Sequence, residues 1–285
     1  MKNVRVYVFE DISKNGRNVL ISGSLDIIKG VSDMTDMTTV ENGRKRGVSS
    51  DVIKYFAIAA MLIDHIAWCF VDTYSVWGYI MHVIGRLTAP IMTYFIVEGF
   101  HYTRNLNRYM LRLGIFALIS WIPFIYMEAG TLPISFDEGN LYFNPMQGVI
   151  FTFFLTVTAL RVNHSESMNG FAKGVVITFL CIVSMIGDWF CFPIIWALLF
   201  DKYRGGFKKQ AIAFEISSVI MVTLLCLPMG GLLQNSFQYG VMLAAIPLYF
   251  YNGEKGRGGK FNKWFFYVFY PAHMLILGVL KWVVL

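Results

Sequence analysis

Long apolar stretches alternate with short polar loops along most of this chain. Nine such stretches lie at about 51–71, 76–100, 108–127, 145–162, 171–186, 188–200, 210–227, 237–251 and 262–284. An apolar helix of about 20 residues matches the thickness of the hydrocarbon core of a bilayer. The pattern therefore predicts an all-α, polytopic transmembrane helical bundle of about nine spans.

The fifth and sixth stretches are short and meet near Asp188, so they could form two thin spans or one long broken helix. Loop charges favour two. The loops around 104–112, 161–173, 202–209 and 255–263 carry thirteen Lys and Arg residues, whereas those at 72–75, 128–144, 187–188 and 228–236 carry none. Because cytoplasmic loops are enriched in these residues, the count predicts a cytoplasmic N-terminus and an external C-terminus.

Composition agrees with a membrane protein, since 56% of the residues are hydrophobic and only 15% are charged. A soluble domain has about 25% charged residues. The net charge of +6 lies in the loops, which indicates topology rather than nucleic-acid binding. The four cysteines have no metal-binding or disulfide spacing. We expect two regions, a polar N-terminal segment at 1–50 and a membrane domain at 51–285. The N-terminal segment could be a cytoplasmic cap, a disordered arm or a misassigned start.

The first span carries a lysine and a histidine on one face. Lys54 and His65 are eleven positions apart, which is three helical turns and about 16 Å, and Ile58 and Met61 are predicted to line the corridor between them. That length is comparable to an extended pantetheine arm, so Lys54 could hold coenzyme A phosphates while His65 acts as a general base near the thioester. Alternatively, Lys54 only reaches to the interface and His65 makes a buried hydrogen bond. The spacing alone does not decide between these interpretations.

Other polar residues within or beside the spans are further candidates, because charged groups in a membrane usually serve function or a structural ion pair. Asp64 neighbours His65 but faces away from it, and Arg86 on the second span is its better partner. Arg104, Arg108 and Arg112 form one helical stripe that could hold phosphates or simply mark a cytoplasmic loop. The acceptor side is predicted to include the following residues: Glu98, Asn144, Gln147, Tyr270 and His273.

Several of these residues occur in motifs that resemble one known family. The motifs are Asp64-His65, Gly85-Arg86 with Pro90, Glu98-Gly99-Phe100, Thr103-Arg104, Tyr109 with Arg112-Leu113, Pro123, Tyr251-Asn252-Gly253 and Phe266-Tyr267-Val268-Phe269-Tyr270-Pro271-Ala272-His273. Together they look like the TraX family of membrane proteins over roughly 51–284. The resemblance implies N-acetylation, since the namesake acetylates the N-terminus of a conjugative pilin subunit. The spacing of Lys54 and His65 is also similar to that of acyltransferase family three enzymes, in which the histidine is regarded as essential.

We therefore expect a multi-pass protein of the bacterial cytoplasmic membrane that transfers acetyl from acetyl-CoA, its co-substrate, to a peptide amine or a glycan hydroxyl. The predicted catalytic residues are His65 and Asp64, and no metal is required. The predicted coenzyme-binding residues are Lys54, Arg86, Arg104, Arg108 and Arg112. One alternative is a proton-coupled transporter that uses Asp64, His65, Arg86 and Glu98. A noncatalytic membrane scaffold is another.

Overall fold

The computed structural model describes residues 47–137, 140–228, 230–256 and 258–284. The predicted N-terminal segment at 1–50 therefore lies outside the described residues, apart from its last four. The helices are α1 (Ser50–Phe70), α2 (Val76–Gly85), α3 (Thr88–Tyr102), α4 (Leu106–Ala129), α5 (Val149–Asn163), α6 (Gly170–Val183), α7 (Phe192–Lys202), α8 (Phe207–Cys226), α9 (Ala245–Tyr249) and α10 (Gly259–Val279). Two short strands, β1 (Ile134–Asp137) and β2 (Asn140–Phe143), form an antiparallel hairpin.

The structure is mostly helical, and five helical stretches are long and apolar enough to cross a membrane. They are 50–70, 76–102, 106–129, 207–226 and 264–284, and two shorter apolar helices lie at 149–163 and 170–186. The predicted helical bundle is thus confirmed in outline, whereas the number of crossings and the orientation of the termini stay predictions.

The outer faces of the long helices are apolar. On α4, the aliphatic side chains of Leu111, Ile115, Leu118 and Ile122 are exposed at intervals of three and four residues, so they form one stripe. A soluble helix directs such a stripe towards the core, but here it faces outward while histidine, arginine and aspartate side chains are buried inside. This distribution is the one expected of helices surrounded by lipid.

Helices α1 and α2 approach each other closely at Gly85. A Cβ atom at that position would collide with the Asp64 side chain, so only glycine allows this contact. Directly after Gly85, the chain turns at Arg86 and Leu87 before α3 begins at Thr88. The glycine therefore places the start of this turn, and the Arg86 side chain, directly against α1.

Two regions differ from the sequence-based prediction. The eighth apolar stretch is mainly a 3-10 helix at Ser236–Ala244 followed by the single turn of α9. Gly240 abuts the Val83 carbonyl, and Pro247 lacks a backbone donor, so both residues weaken a continuous α-helix here. The stretch at 128–144, which was predicted only as a loop between spans, contains the β1–β2 hairpin.

The fifth and sixth stretches form separate helices. Helix α6 ends in a 3-10 turn at Ser184–Ile186, and α7 begins at Phe192 after a tight segment. Trp189 and Phe190 in that segment both have positive φ angles, which are strained for residues with side chains. The break between the two stretches is therefore a sharp turn rather than a kink within one helix.

Candidate active site

A cavity of about 580 Å³ lies among α1, α3, α4, α5 and α10. Its lining combines residues of the Thr103 and Gly253–Lys255 loops with apolar and aromatic side chains of the helices. The lining includes Ser50, Asp51, Lys54, Ile58, Met61, Glu98, Tyr109, Arg112, Val149, Ile150, Lys255, Asn262, Phe266, Tyr267 and Tyr270. The predicted corridor of Lys54, Ile58 and Met61 along α1 is therefore present.

Three cationic side chains line this cavity. The Lys54 ammonium is 4.8 Å from the centre of the Phe95 ring and 5.8 Å from that of Phe266. The Arg112 Nε atom is buried and has no hydrogen-bond partner among the described residues. Lys255, in the loop before α10, is the third. Aromatic rings stabilise a cation only partly.

The two acids of the lining are already bound by other groups. The Asp51 carboxylate accepts hydrogen bonds from Asn262 Nδ2 at 2.7 Å and from the Gly258 amide at 3.3 Å. Glu98 accepts one from Arg204 Nε at 3.2 Å. Within the described part of the chain, neither acid lies within ion-pair distance of Lys54 or Arg112. Asp51 and Glu98 act on Lys54 only over a longer distance, and Arg112 hydrogen-bonds the neutral Tyr267 hydroxyl. Neither cation is therefore held in a direct ion pair, and both can meet an anionic ligand.

Two buried imidazoles, from α1 and α10, form a hydrogen-bonded pair. His65 Nδ1 lies 2.9 Å from His273 Nε2, and His273 Nδ1 lies 2.8 Å from the Phe269 carbonyl oxygen. Because a carbonyl can only accept, His273 Nδ1 carries a proton and, in the neutral ring, its Nε2 must accept. His65 Nδ1 is then the donor, and the lone pair of His65 falls on Nε2. This assigns both tautomers from heavy-atom geometry.

The histidine pair neighbours two residues of the cavity lining, Met61 and Tyr270. His65 follows Met61 by one helical turn on the same face, and the His273 ring is 5.6 Å from the Tyr270 ring. Both Met61 and Tyr270 line the cavity, whereas His65 does not and is 9% exposed. The Tyr270 hydroxyl is itself fixed, since it accepts the Val149 amide at 3.2 Å.

Asp64 is held by two cationic or polar partners from α2 and the turn after it. Its carboxylate accepts hydrogen bonds from Arg86 Nη2 and, at 2.8 Å, from His82 Nδ1. Arg86 also donates to Gln238 at 3.2 Å and lies 4.9 Å above the Trp189 ring. The cluster is buried and outside the cavity lining, which is where a structural ion pair belongs. Neither Asp64 nor Arg86 has a place in the chemistry proposed below.

The other predicted site residues fall into three groups. Glu98, Arg112 and Tyr270 line the cavity, whereas Arg104 and Arg108 are exposed and lie outside its lining. Asn144 caps a turn, accepting the Met146 amide at 3.0 Å.

Gln147 is buried, and its backbone bridges to Gly187. Its Oε1 atom lacks a hydrogen-bond partner among the described residues. The structure does not bring Asn144 or Gln147 into the cavity.

Two contributors were not singled out from the sequence as site residues. His82, the second partner of Asp64, lies four residues before Arg86. Because residues four positions apart share one face of a helix, this spacing could have indicated that both residues reach Asp64. Lys255 was counted only as a loop charge. Its position at the cavity depends on the loop between α9 and α10, and no local pattern indicates that.

Comparison with known proteins gives two matches. The sequence profile of a family described as TraX protein matches residues 49–281. The chain is also similar to a protein named "Probable fimbrial assembly protein FimC, serogroup H1" from Dichelobacter nodosus, with 32% identity over 238 residues, 79% of this chain and 92% of the relative. No solved structure matches significantly.

Proposed function

Since the chain belongs to the TraX protein family, we propose that it is a membrane acetyltransferase that uses acetyl-CoA from the cytoplasm. The proposed acceptor is an amine, first of all the N-terminus of a pilin-like peptide, with a glycan hydroxyl as the other acceptor class. The name of the Dichelobacter relative, a fimbrial assembly protein, supports an acceptor connected with pili. We place the protein in the bacterial inner membrane.

One observation carries the proposal, namely that the cavity cations lack a direct ion pair with an acid and that one of them, Lys54, lies three helical turns before His65 on α1. Coenzyme A is a polyphosphate joined to a long, weakly polar arm. Lys54 and Arg112 are suited to its phosphates, because hydrogen bonds between charged groups are the strongest that side chains form. The apolar wall of Ile58 and Met61 suits the arm.

His65 is the proposed general base. Its Nε2 lone pair takes a proton from the acceptor N–H or O–H as the acceptor nitrogen or oxygen attacks the thioester carbonyl carbon. The C–N or C–O bond forms, the C–S bond breaks, and the coenzyme A thiolate leaves. The thiolate then receives the proton from His65, which returns the imidazole to its neutral form.

His273 is the proposed positioning residue. Its hydrogen bond to the Phe269 carbonyl fixes its own tautomer, and its Nε2 then fixes that of His65. The developing positive charge on His65 is shared with this second ring, which stabilises the transition state.

The test is transfer of labelled acetyl from acetyl-CoA to envelope peptides and glycans, followed by mass spectrometry of the products. We expect transfer by the wild-type protein and a loss of about a hundredfold or more in His65→Ala, the usual contribution of a general base. Gel filtration and the melting temperature of the variant show whether it remains folded. Full activity of His65→Ala would contradict the proposed base, and acetyl-CoA-independent solute flux without transfer would favour the transporter.

A further inference from the structure

Three metal-ligating side chains meet outside the cavity, where three helices end. His101 lies in the last turn of α3, His164 directly follows α5, and Asp201 lies in the last turn of α7. The three residues are 37 or more positions apart in sequence, so only the packing of the helices brings them together. None of them has a role in the proposed transfer chemistry.

The ligand atoms converge on the carboxylate. His101 Nε2 lies 2.7 Å from one oxygen of Asp201, and His164 Nε2 lies 2.8 Å from the other. One ligand atom from each residue can be chosen so that all three lie within 4.8 Å of one another. The Asp201 side chain is only 7% exposed, whereas those of His101 and His164 are 24% and 45% exposed. The Asp201 side chain is therefore buried in the protein, whereas the two imidazoles remain accessible to small ions from solution.

The surroundings favour a cation. Each helix carries roughly half a negative charge at its C-terminal end, and here three such ends converge on a carboxylate. The two cationic side chains that follow Asp201 are directed elsewhere. Lys202 lies over the Tyr203 ring, and Arg204 is paired with Glu98.

We propose that His101, His164 and Asp201 bind one divalent transition-metal ion of the zinc class, with water in the remaining coordination position. Two imidazole nitrogens and one carboxylate oxygen are a ligand set that zinc accepts and that magnesium and calcium disfavour. Binding replaces the two hydrogen bonds to Asp201 with metal–ligand bonds. The proton on each Nε2 moves to Nδ1 or to solvent, which frees the coordinating lone pair.

The site would act on the rim of the cavity rather than on the reaction. Tyr102, which lines the cavity, follows His101 directly, and Glu98 joins the same helix to Arg204 beyond Asp201. An ion held by α3, α5 and α7 would tie their ends together and fix this part of the rim. Because the proposal uses none of the transfer residues, it can fail while the proposed function stands.

The experiment uses the full chain in detergent, purified through a tag that contains no histidine, stripped with a chelator and titrated with zinc. We expect about one zinc ion per chain and an affinity that falls at least about tenfold in His101→Gln, His164→Gln and Asp201→Asn, since even outer-shell substitutions cost that much. Cobalt(II) in place of zinc should give a visible absorption band that these variants lose. Lys202→Gln, beside the site, is the matched control and should bind zinc like the wild-type protein.

Two results would overturn the proposal. The first is zinc binding that is absent from the wild-type protein, in which case the three residues form only a hydrogen-bonded clasp. Asp201→Asn would then lower the melting temperature to the same extent with and without zinc. The second is zinc binding that all three variants retain, which would place the ion elsewhere, for example at the cysteines.

Discussion

The protein holds charged side chains in two contrasting regions. In the inner cluster of Asp64, His82 and Arg86, each charge faces an opposite charge or a polar partner, and the cluster is buried between α1 and α2. In the cavity, Lys54 and Arg112 face aromatic rings and an unfilled volume, while the nearby acids are bound by other groups.

The partners of a charged side chain indicate whether it has a structural or a functional role in a membrane protein. A charge within a span is costly unless it is compensated, so a compensated group stabilises the fold. A group that lacks compensation points to a partner outside the chain, and the anionic acetyl-CoA proposed above would supply it here. The sequence shows charged residues within or beside the spans in both regions. Only the side chains that contact these residues in the structure distinguish the two regions.

The largest expected effect is on stability, from breaking the inner cluster. Asp64→Asn leaves the Arg86 guanidinium buried without a counter-charge, which costs about 3–5 kcal/mol in comparable buried pairs. Thermal unfolding in detergent should show a large fall in melting temperature. Asp72→Asn, an exposed acid in the loop after α1, is the matched control and should unfold like the wild-type protein. Equal stability of the two variants would show that the cluster is not a structural pair.

The next effect is on turnover, from the second histidine. His273→Ala removes the acceptor that fixes the His65 tautomer, so we expect kcat to fall by about a hundredfold, at the lower end of a general base's contribution. KM for acetyl-CoA should change little, because His273 does not line the cavity.

The variant His273→Gln tests whether His273 positions the His65 ring or only fills space beside it. In His273→Gln, a side-chain oxygen can accept from His65 while the amide nitrogen donates to the Phe269 carbonyl, so partial recovery of kcat is expected. If His273→Gln and His273→Ala are equally inactive with normal stability, the tautomer argument fails.

Much of the helical framework and part of the site could be predicted from the sequence. The lengths of apolar stretches located the helices, and helical periodicity placed Lys54, Ile58 and Met61 on one face of α1. The cost of a buried charge pointed to the pairing of Asp64 with Arg86. These are properties of single helices or of depth in the membrane.

The remainder depends on how helices pack. Arg104, Arg108 and Arg112 are equivalent in spacing, yet only Arg112 lines the cavity, because Arg104 precedes α4 and Arg108 lies exposed in its first turn. The cluster of His101, His164 and Asp201 joins three helix ends that are distant in sequence. The 3-10 geometry at Ser236–Ala244 follows from close packing on α2 at Gly240, which hydropathy does not report.

The smallest effect is expected at the rim. The Glu98–Arg204 pair is partly exposed, and such pairs contribute about 0–1 kcal/mol. Glu98→Gln should therefore change the Kd for acetyl-CoA less than about fivefold and leave the melting temperature nearly unchanged. Loss of acetyl transfer in this variant would instead place Glu98 in direct contact with substrate, as its place among the predicted acceptor-side residues suggests.

If the cavity cations bind acyl-CoA, equilibrium binding of labelled acetyl-CoA should distinguish two matched double variants. Lys54→Ala with Arg112→Ala and Arg104→Ala with Arg108→Ala each remove two positive charges, one pair from the cavity lining and the other from the exposed stripe. At physiological salt, we predict at least about a hundredfold weaker binding for the cavity pair, because each of the two lost charge-assisted bonds costs about 1.5–3 kcal/mol, and less than about threefold for the exposed pair. Equal losses in both variants, or a larger loss in the exposed pair, would contradict the account.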